Sequence, residues 1–118
     1  MTWTQSEQLC YQTNNSHLAE IYDQFQQDFL TMMALVFEET SGGKKYWWIG
    51  LTDAGREGNW YWSNSLKPVN FTAWYGNEPN GGIKYNYYAA MYYGNSYAYK
   101  WVDCTETQTS YPICQFFA

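Results

Sequence analysis

Glu78-Pro79-Asn80 is the segment of this chain whose residue types most clearly suit binding chemistry. It places a carboxylate and a carboxamide on either side of a proline, in a stretch rich in Trp, Gly and Asn. A hard cation such as calcium takes six to eight oxygen ligands from carboxylates, amide carbonyls and water. An amide that gives its carbonyl to a cation keeps an NH2 group to donate to a ligand hydroxyl. Pro and Asn are also ordinary turn residues, so the tripeptide alone indicates no more than a polar turn.

Composition limits the classes of partner. The 118 residues fit a single domain spanning 1–118, and the net charge of -5 with no basic run argues against nucleic acid. The most apolar stretch, Leu30 to Phe37, is too short to span a membrane. No signal peptide is visible, so we expect a mature or recombinant fragment. Aromatic residues reach 22%, which suits amphipathic ligands such as sugars, although most rings are expected to fill the core.

The first third of the chain predicts two helices. A short helix over 4–12 is followed by an extended run over 17–21, and Asp23 is a plausible N-cap for a second helix. Ser41-Gly42-Gly43 is expected to end that helix. Apolar residues recur along it at helical spacing, and we interpret them as a core-facing stripe: Phe25, Phe29, Met32, Met33 and Val36.

The remainder predicts short strands around one long loop. Strands are expected over 46–51, 59–62 and 111–116, and a hairpin joins strands over 88–93 and 97–102. Residues 63–86 show little periodicity, and a loop of that length inside a compact domain is usually functional or disordered. The predicted class is α+β: two helices, short antiparallel strands and a long inserted ligand loop.

In this order and spacing the chain resembles the C-type lectin domain family over nearly its whole length. The residues that carry the resemblance are Cys10, His17-Leu18-Ala19-Glu20-Ile21, Trp48-Ile49-Gly50-Leu51, Trp60-Tyr61-Trp62, Trp74, Glu78-Pro79-Asn80, Trp101-Val102-Asp103 and Tyr111-Pro112-Ile113-Cys114. The resemblance implies the α+β fold named above and a binding module instead of an enzyme. The sequence contains no phosphate loop, nucleophile elbow or His-based metal site that would indicate an enzyme.

The resemblance also assigns the cysteines. It implies a disulfide between Cys10 and Cys114, while the family's usual second disulfide is missing because Tyr88 stands where its first cysteine would be. Cys104 is therefore expected to be a free thiol, which we favour, or to pair with another chain. Family members usually carry a strand before the first helix. Its absence here predicts an unusual pairing of residues 113–117 or a homo-oligomer through the last strand or Cys104.

One calcium ion is implied in the long loop. Carried over residue by residue, its ligands are Glu78, Asn80, Asn86 and Asp103, with a cis proline between the first two. Asn86 replaces a carboxylate, and Val102 replaces an Asn and cannot ligate. The ligand charge falls to -2, so we expect affinity of about 10⁻³ M. The alternative is that the site is a relic and binds no metal.

The same motif implies sugars of the mannose, fucose and GlcNAc group. Tyr97 and Tyr99 are candidates to stack on a sugar ring, although alternating Tyr residues in strands commonly face the core. Asp53 and Glu57 match part of an auxiliary calcium site that we interpret as lost.

The expected function is a secreted lectin domain that binds glycans or glycoproteins. The alternative is a calcium-independent protein-interaction or assembly module. Acceptor sites for N-glycosylation at Asn14 and Asn70 fit an extracellular route.

Overall fold

A computed structural model describes residues 1–41, 46–82, 85–92 and 98–116, without the side chains of 38–41. The elements confirm the α+β class. Two helices come before most of the strands, and the long irregular stretch between the third and fourth strands contains the predicted ligand loop. In chain order the elements are α1 (Trp3–Gln12), β1 (His17–Leu18), α2 (Gln24–Ser41), β2 (Tyr46–Thr52), β3 (Tyr61–Trp62), β4 (Tyr88–Tyr92), β5 (Trp101–Cys104), β6 (Tyr111–Pro112) and β7 (Cys114–Gln115).

The strands form two sheets. In the larger sheet the order is β3-β2-β4-β5, all antiparallel, and β6 pairs with β2 in parallel. The central strand β2 is buried on both faces, which fits its nearly continuous apolar sequence. Its two faces contribute to two aromatic clusters, one around Trp62 and Trp101 and the other around Trp3 and Trp48. The core therefore lies on both sides of the larger sheet.

Helix α1 begins with a capping box. Thr2 accepts a hydrogen bond from the backbone of Gln5, and the Gln5 side chain accepts one from the backbone of Thr2. Trp3 anchors the helix to the sheet by donating its Nε1–H to the carbonyl of Ile49 at 2.8 Å. In the last turn of the helix, Cys10 is fully buried and forms the predicted disulfide with Cys114.

The last strand finds a partner inside the chain. β7 pairs antiparallel with β1, opposing His17 to Gln115 and Leu18 to Cys114, and the amide of Ala19 donates to the carbonyl of Ile113 at 2.8 Å. Among the described residues this sheet has two strands, so the second edge of β7 pairs with no other strand there. The predicted region extended to Phe117, which lies outside the described residues.

The predicted core stripe of α2 was wrong. All five of its residues are exposed, and Phe25 reaches 79%. The buried face carries Gln27 and Ala34 instead. The Gln27 side chain donates to the carbonyl of Tyr99 at 3.1 Å and accepts from Trp101 Nε1 at 2.9 Å, so a polar residue is satisfied inside the core. The helix thus presents its more apolar face outward.

The predicted strand over 97–102 also differs. β5 begins at Trp101 and runs to Cys104. Ala98 and Tyr99 have positive φ values of 51° and 63°, a left-handed conformation that cannot belong to a strand. The predicted hairpin turn at 94–96 lies outside the described residues, and so does the predicted helix stop at Gly42-Gly43.

Glu20 is a buried carboxylate that organises the turn after β3. It is 1% exposed and accepts hydrogen bonds from the backbone amides of Asn64 and Ser65 at 2.9 and 3.0 Å. Tyr22 donates its hydroxyl to the other carboxylate oxygen. These three donors provide hydrogen-bond partners for both oxygens of the buried carboxyl group.

Candidate functional site

The Glu78-containing loop is held beside β5 by backbone pairing. Trp74 forms a parallel bridge with Trp101. The amide of Trp101 donates to the carbonyl of Ala73 at 2.8 Å, and the amide of Tyr75 donates back to Trp101 at 3.0 Å. Three residues after this anchor the Glu78-Pro79 peptide bond is cis, as expected. The loop therefore delivers its polar side chains to the edge of the larger sheet.

Glu78, Asn80 and Asp103 meet at this edge. Glu78 accepts from the backbone amide of Asp103 at 3.2 Å, and Asn80 donates its side-chain amide to Glu78 at 2.9 Å. The carboxylate of Asp103 accepts hydrogen bonds from the backbone amides of Asn80 and Gly81 at 3.2 and 2.8 Å. Two segments more than twenty residues apart are thus joined by hydrogen bonds that place carboxylate and carboxamide oxygens together.

Asp103 contributes to the charge state of the Glu78 carboxyl group. Partial burial raises the pKa of Glu78 to about 7, and a side-chain hydrogen bond with Asp103 and the negative charge of Asp103 add to the effect. Two carboxylates this close repel each other when both are ionised. A divalent cation is one means of relieving that repulsion.

Three of the four predicted ligands lie together, and their oxygens suit a hard cation. Asn86 lines an adjacent cleft with Tyr88 and Glu106, and Val102 is buried. Within the described ranges, no group of three or more His, Cys, Asp or Glu is placed to hold a metal. Because only two of the clustered ligands are carboxylates, a cation here would also depend on the amide oxygen of Asn80. The residues fit a weakly held calcium ion.

Gly81 and Tyr87 help to fix the position of the loop. Tyr87 is buried and donates its hydroxyl to the carbonyl of Gly81. A Cβ atom at Gly81 would lie 2.6 Å from Oδ2 of Asp103 and would overlap the ring of Tyr87. Only glycine fits between these groups, so Gly81 sets where the Asp103 carboxylate lies.

The matched part of the auxiliary calcium site has a structural role. Asp53 is buried and accepts from the amides of Tyr87 and Gly58 at 2.9 and 3.2 Å. Glu57 is exposed. Both oxygens of Asp53 are thereby engaged by backbone donors.

The aromatic residues at the site are not those the sequence suggested. Tyr99 is 3% exposed within the core cluster, so its ring does not suit stacking on a sugar, and Tyr97 lies outside the described residues. A cleft of about 360 Å³ runs from Glu78 and Asp103 to Tyr46 and Tyr92. Sequence reasoning missed this pair. The feature that could have identified the pair is that both residues are tyrosines, one at the start of the predicted strand over 46–51 and the other near the end of the predicted strand over 88–93.

Cys104 is a free cysteine that lies in the wall of this cleft. Burial, together with the negative charges of Asp103 and Glu78, raises the pKa of its thiol to about 12. The thiol is therefore protonated at neutral pH and is a poor nucleophile.

Comparison with known proteins gives a consistent family. The model of the Lectin C-type domain matches residues 1–116. C-type lectin domain family 4 member K of Homo sapiens is 40% identical over 84 residues, 67% of this chain and 22% of that protein. The galactose-specific lectin nattectin of Thalassophryne nattereri is 32% identical over 80 residues, 68% of this chain and 47% of that protein. The chain thus covers less than half the length of either relative.

Solved structures share the fold. A calcium-independent type II antifreeze protein superposes with a TM-score of 0.76 at 23% identity, covering 97% of this chain and 77% of that one. At this identity the likeness shows the fold alone.

Proposed function

Because this chain belongs to the C-type lectin domain family, we propose that it binds sugars of the mannose, fucose and GlcNAc group at Glu78, Asn80 and Asp103, assisted by one weakly held calcium ion. The observation that supports this most is the convergence of the three side chains at the edge of the larger sheet. As a member of a carbohydrate-binding family, the domain is not an enzyme.

The binding chemistry follows from what each side chain can donate or accept. Asn80 donates its amide N–H to Glu78 at 2.9 Å, and a sugar hydroxyl between them would take that hydrogen bond while donating its own proton to Glu78. Asp103 is held by two backbone amides. When bound, calcium would supply a positive charge to which two adjacent sugar hydroxyls coordinate. Glu78, Asn80 and Asp103 would hold it, whereas Asn86, the fourth predicted ligand, lines the adjacent cleft.

The calcium requirement should be weak. The ligand set carries a formal charge of -2, and low ligand charge places extracellular calcium sites near 10⁻⁴ to about 10⁻³ M. The mannose-type preference rests on the Glu-Pro-Asn motif. Since one relative is named galactose-specific, a galactoside is the natural competitor in a specificity test.

The test follows Trp fluorescence while calcium is titrated, with and without mannose or galactose. Trp74 and Trp101 pair directly beside the site and should report binding. We expect a calcium- and mannose-dependent change that Glu78→Gln abolishes and that the exposed Glu57→Gln retains. Glycan binding without calcium would replace the metal mechanism by a direct one. No glycan binding at any calcium concentration would refute the lectin function.

We place the domain in a secreted or extracellular setting. The Cys10–Cys114 disulfide is the kind of bond that persists in oxidising compartments. Asn14 and Asn70, the two N-glycosylation acceptors, are both exposed. Mass spectrometry of the natural protein would show whether either carries a glycan.

The apolar face of α2 favours a second candidate function, assembly with another copy of this chain. This face comprises Phe25, Phe29, Met32, Met33 and Val36, all exposed. At about 200 Å² for a large side chain, it exposes on the order of 600 Å², most of the ~800 Å² that each partner of a stable complex buries. Its five side chains are uncharged, and the exposed Asp28 lies at its border.

A groove of about 390 Å³ between this face and β7 extends the surface. We expect sedimentation velocity to show a dimer that the double change Phe25→Ser with Phe29→Ser dissociates. Leu66→Ser, at an exposed leucine in a turn, is the matched control. A wild-type monomer at about 100 μM, well above a micromolar Kd, would rule this assembly out. Cys104 is a poor candidate for a link between chains, since its thiol is protonated at neutral pH.

No helix in the described ranges combines the length and the apolar character needed to cross a bilayer.

A further inference from the structure

We propose that the cleft beside Glu78 and Asp103 binds an uncharged oligosaccharide, with a second sugar ring stacked on the Tyr46–Tyr92 pair. The inference rests on the proposed lectin function and goes further by naming the ligand's length and charge. It assigns to Tyr46 a role in selecting the length of the ligand. Tyr46 is not one of the residues proposed to hold calcium or the hydroxyls of the first sugar.

The cleft connects the two parts of this extended site. Glu78, Asn80 and Asp103 line one part, and Tyr46 and Tyr92 line the other, within one volume of about 360 Å³. That volume lies in the range of sites that enclose small ligands. A ligand held at the carboxylates and extended by one ring along the cleft would meet the aromatic pair.

Strand pairing fixes the aromatic pair in place. Tyr46 and Tyr92 oppose each other directly across β2 and β4. Their ring centroids are 4.5 Å apart with an interplanar angle of 31°, and both side chains are partly exposed. Each ring combines an apolar face with a polar hydroxyl, the combination that matches the C–H face and hydroxyl edge of a pyranose. Because the rings are already ordered by each other, stacking a sugar on them requires little further loss of side-chain freedom.

The rest of the cleft points to an uncharged ligand. Its rim is formed by Thr105, Thr107 and Gln108, whose hydroxyl and amide groups can exchange hydrogen bonds with sugar hydroxyls. The two threonine hydroxyls are hydrogen-bonded to each other at 2.8 Å, and the amide of Gln108 donates to the carbonyl of Thr105 at 3.1 Å, so the rim is ordered. The charged side chains in the described part of the lining are the carboxylates of Glu78 and Asp103, which repel an acidic glycan.

The test compares one ring with several. Dissociation constants of the full chain are measured in calcium for methyl α-mannoside and for a linear mannotriose, with Tyr46→Leu, Tyr46→Phe and wild type. Tyr46→Leu keeps apolar bulk but removes the flat ring, whereas Tyr46→Phe keeps the ring. Tyr11→Leu, at an exposed tyrosine of α1, is the matched control.

We expect Tyr46→Leu to weaken mannotriose binding about threefold to tenfold, the range of an aromatic stacking contact. It should leave methyl α-mannoside binding unchanged, which also shows that the variant is folded. Tyr46→Phe and Tyr11→Leu should match wild type for both ligands. Unchanged mannotriose binding in Tyr46→Leu, or an equal loss for both ligands, overturns the extended site but leaves the lectin function standing. If wild type binds neither ligand, both proposals fall.

Discussion

Glu78 and Asp103 lie 25 residues apart in sequence, yet the carboxylate of Glu78 accepts the backbone amide of Asp103 at 3.2 Å and its side chain contacts that of Asp103. A loop and an edge strand are thereby joined through two acids. Partial burial and this contact together raise the pKa of Glu78, and the two acids make the site suitable for a cation.

The stability of the metal-free protein should fall as pH rises from about 4.5 to about 7. Burial and Asp103 raise the pKa of Glu78 from 4.5 to about 7, so in this window the folded chain holds a proton that the unfolded chain has released. Thermal unfolding in EDTA between pH 4.5 and 7.5 measures the slope. Glu78→Gln should flatten it and Glu57→Gln should not. Parallel slopes in wild type and Glu78→Gln would contradict the assignment.

Gly81→Ala should weaken calcium and sugar binding with little loss of overall stability. The added methyl group would lie 2.6 Å from Oδ2 of Asp103 and overlap the ring of Tyr87, so the carboxylate must move. We expect at least a tenfold weaker calcium affinity, the lower range seen when supports of metal ligands are changed. Calcium titration by fluorescence measures it, and the exposed Asn77→Ala in the same loop is the control. Equal affinity in both variants would show that the loop adapts.

Glu20→Gln should destabilise the fold by about 2 kcal/mol, because the carboxylate accepts three hydrogen bonds in the interior and bonds to charged groups contribute about 1.5–3 kcal/mol. Urea unfolding gives the free energy. Tyr22→Phe removes one of the three donors and should lower it by less. A variant as stable as wild type would mean that the turn at Asn64 and Ser65 does not need the charge.

Replacing Cys10 and Cys114 together with alanine should lower the free energy of unfolding by about 4–5 kcal/mol, since the bond closes a loop of 104 residues. Cys104→Ala should change it far less.

A thiol titration of the native wild type should find one cysteine that reacts slowly at pH 7 and quickly after denaturation, because its pKa is raised to about 12. Fast reaction in the native state would contradict the raised pKa of the half-buried Cys104.

Sequence alone predicted the architecture well. The helices and the strand around Trp48 follow from periodicity and apolar runs, and the Cys10–Cys114 bond was implied by the resemblance to the C-type lectin domain family. The convergence of Glu78, Asn80 and Asp103 was also implied by that resemblance, which carries the family's ligand positions over to these residues.

The orientation of α2 could not be predicted from its pattern. Helical spacing shows which residues share a face but not which face turns inward. Gln27 turns inward because Trp101 Nε1 and the carbonyl of Tyr99 need a partner within the core, and those groups come from more than seventy residues away. The left-handed backbone at Ala98 and Tyr99 is similarly invisible, since neither residue type favours it.

The covalent bond between α1 and β7 also has a mechanical consequence. If the two ends of the chain were pulled apart, the tension would pass from residue 10 to residue 114 through sulfur, and everything between them would carry almost no load. The loop with Glu78 and the strand with Asp103 both lie between residues 10 and 114, in the part of the chain that the disulfide relieves of load. A tethered ligand would therefore pull on a site that stretching of the chain ends leaves undistorted.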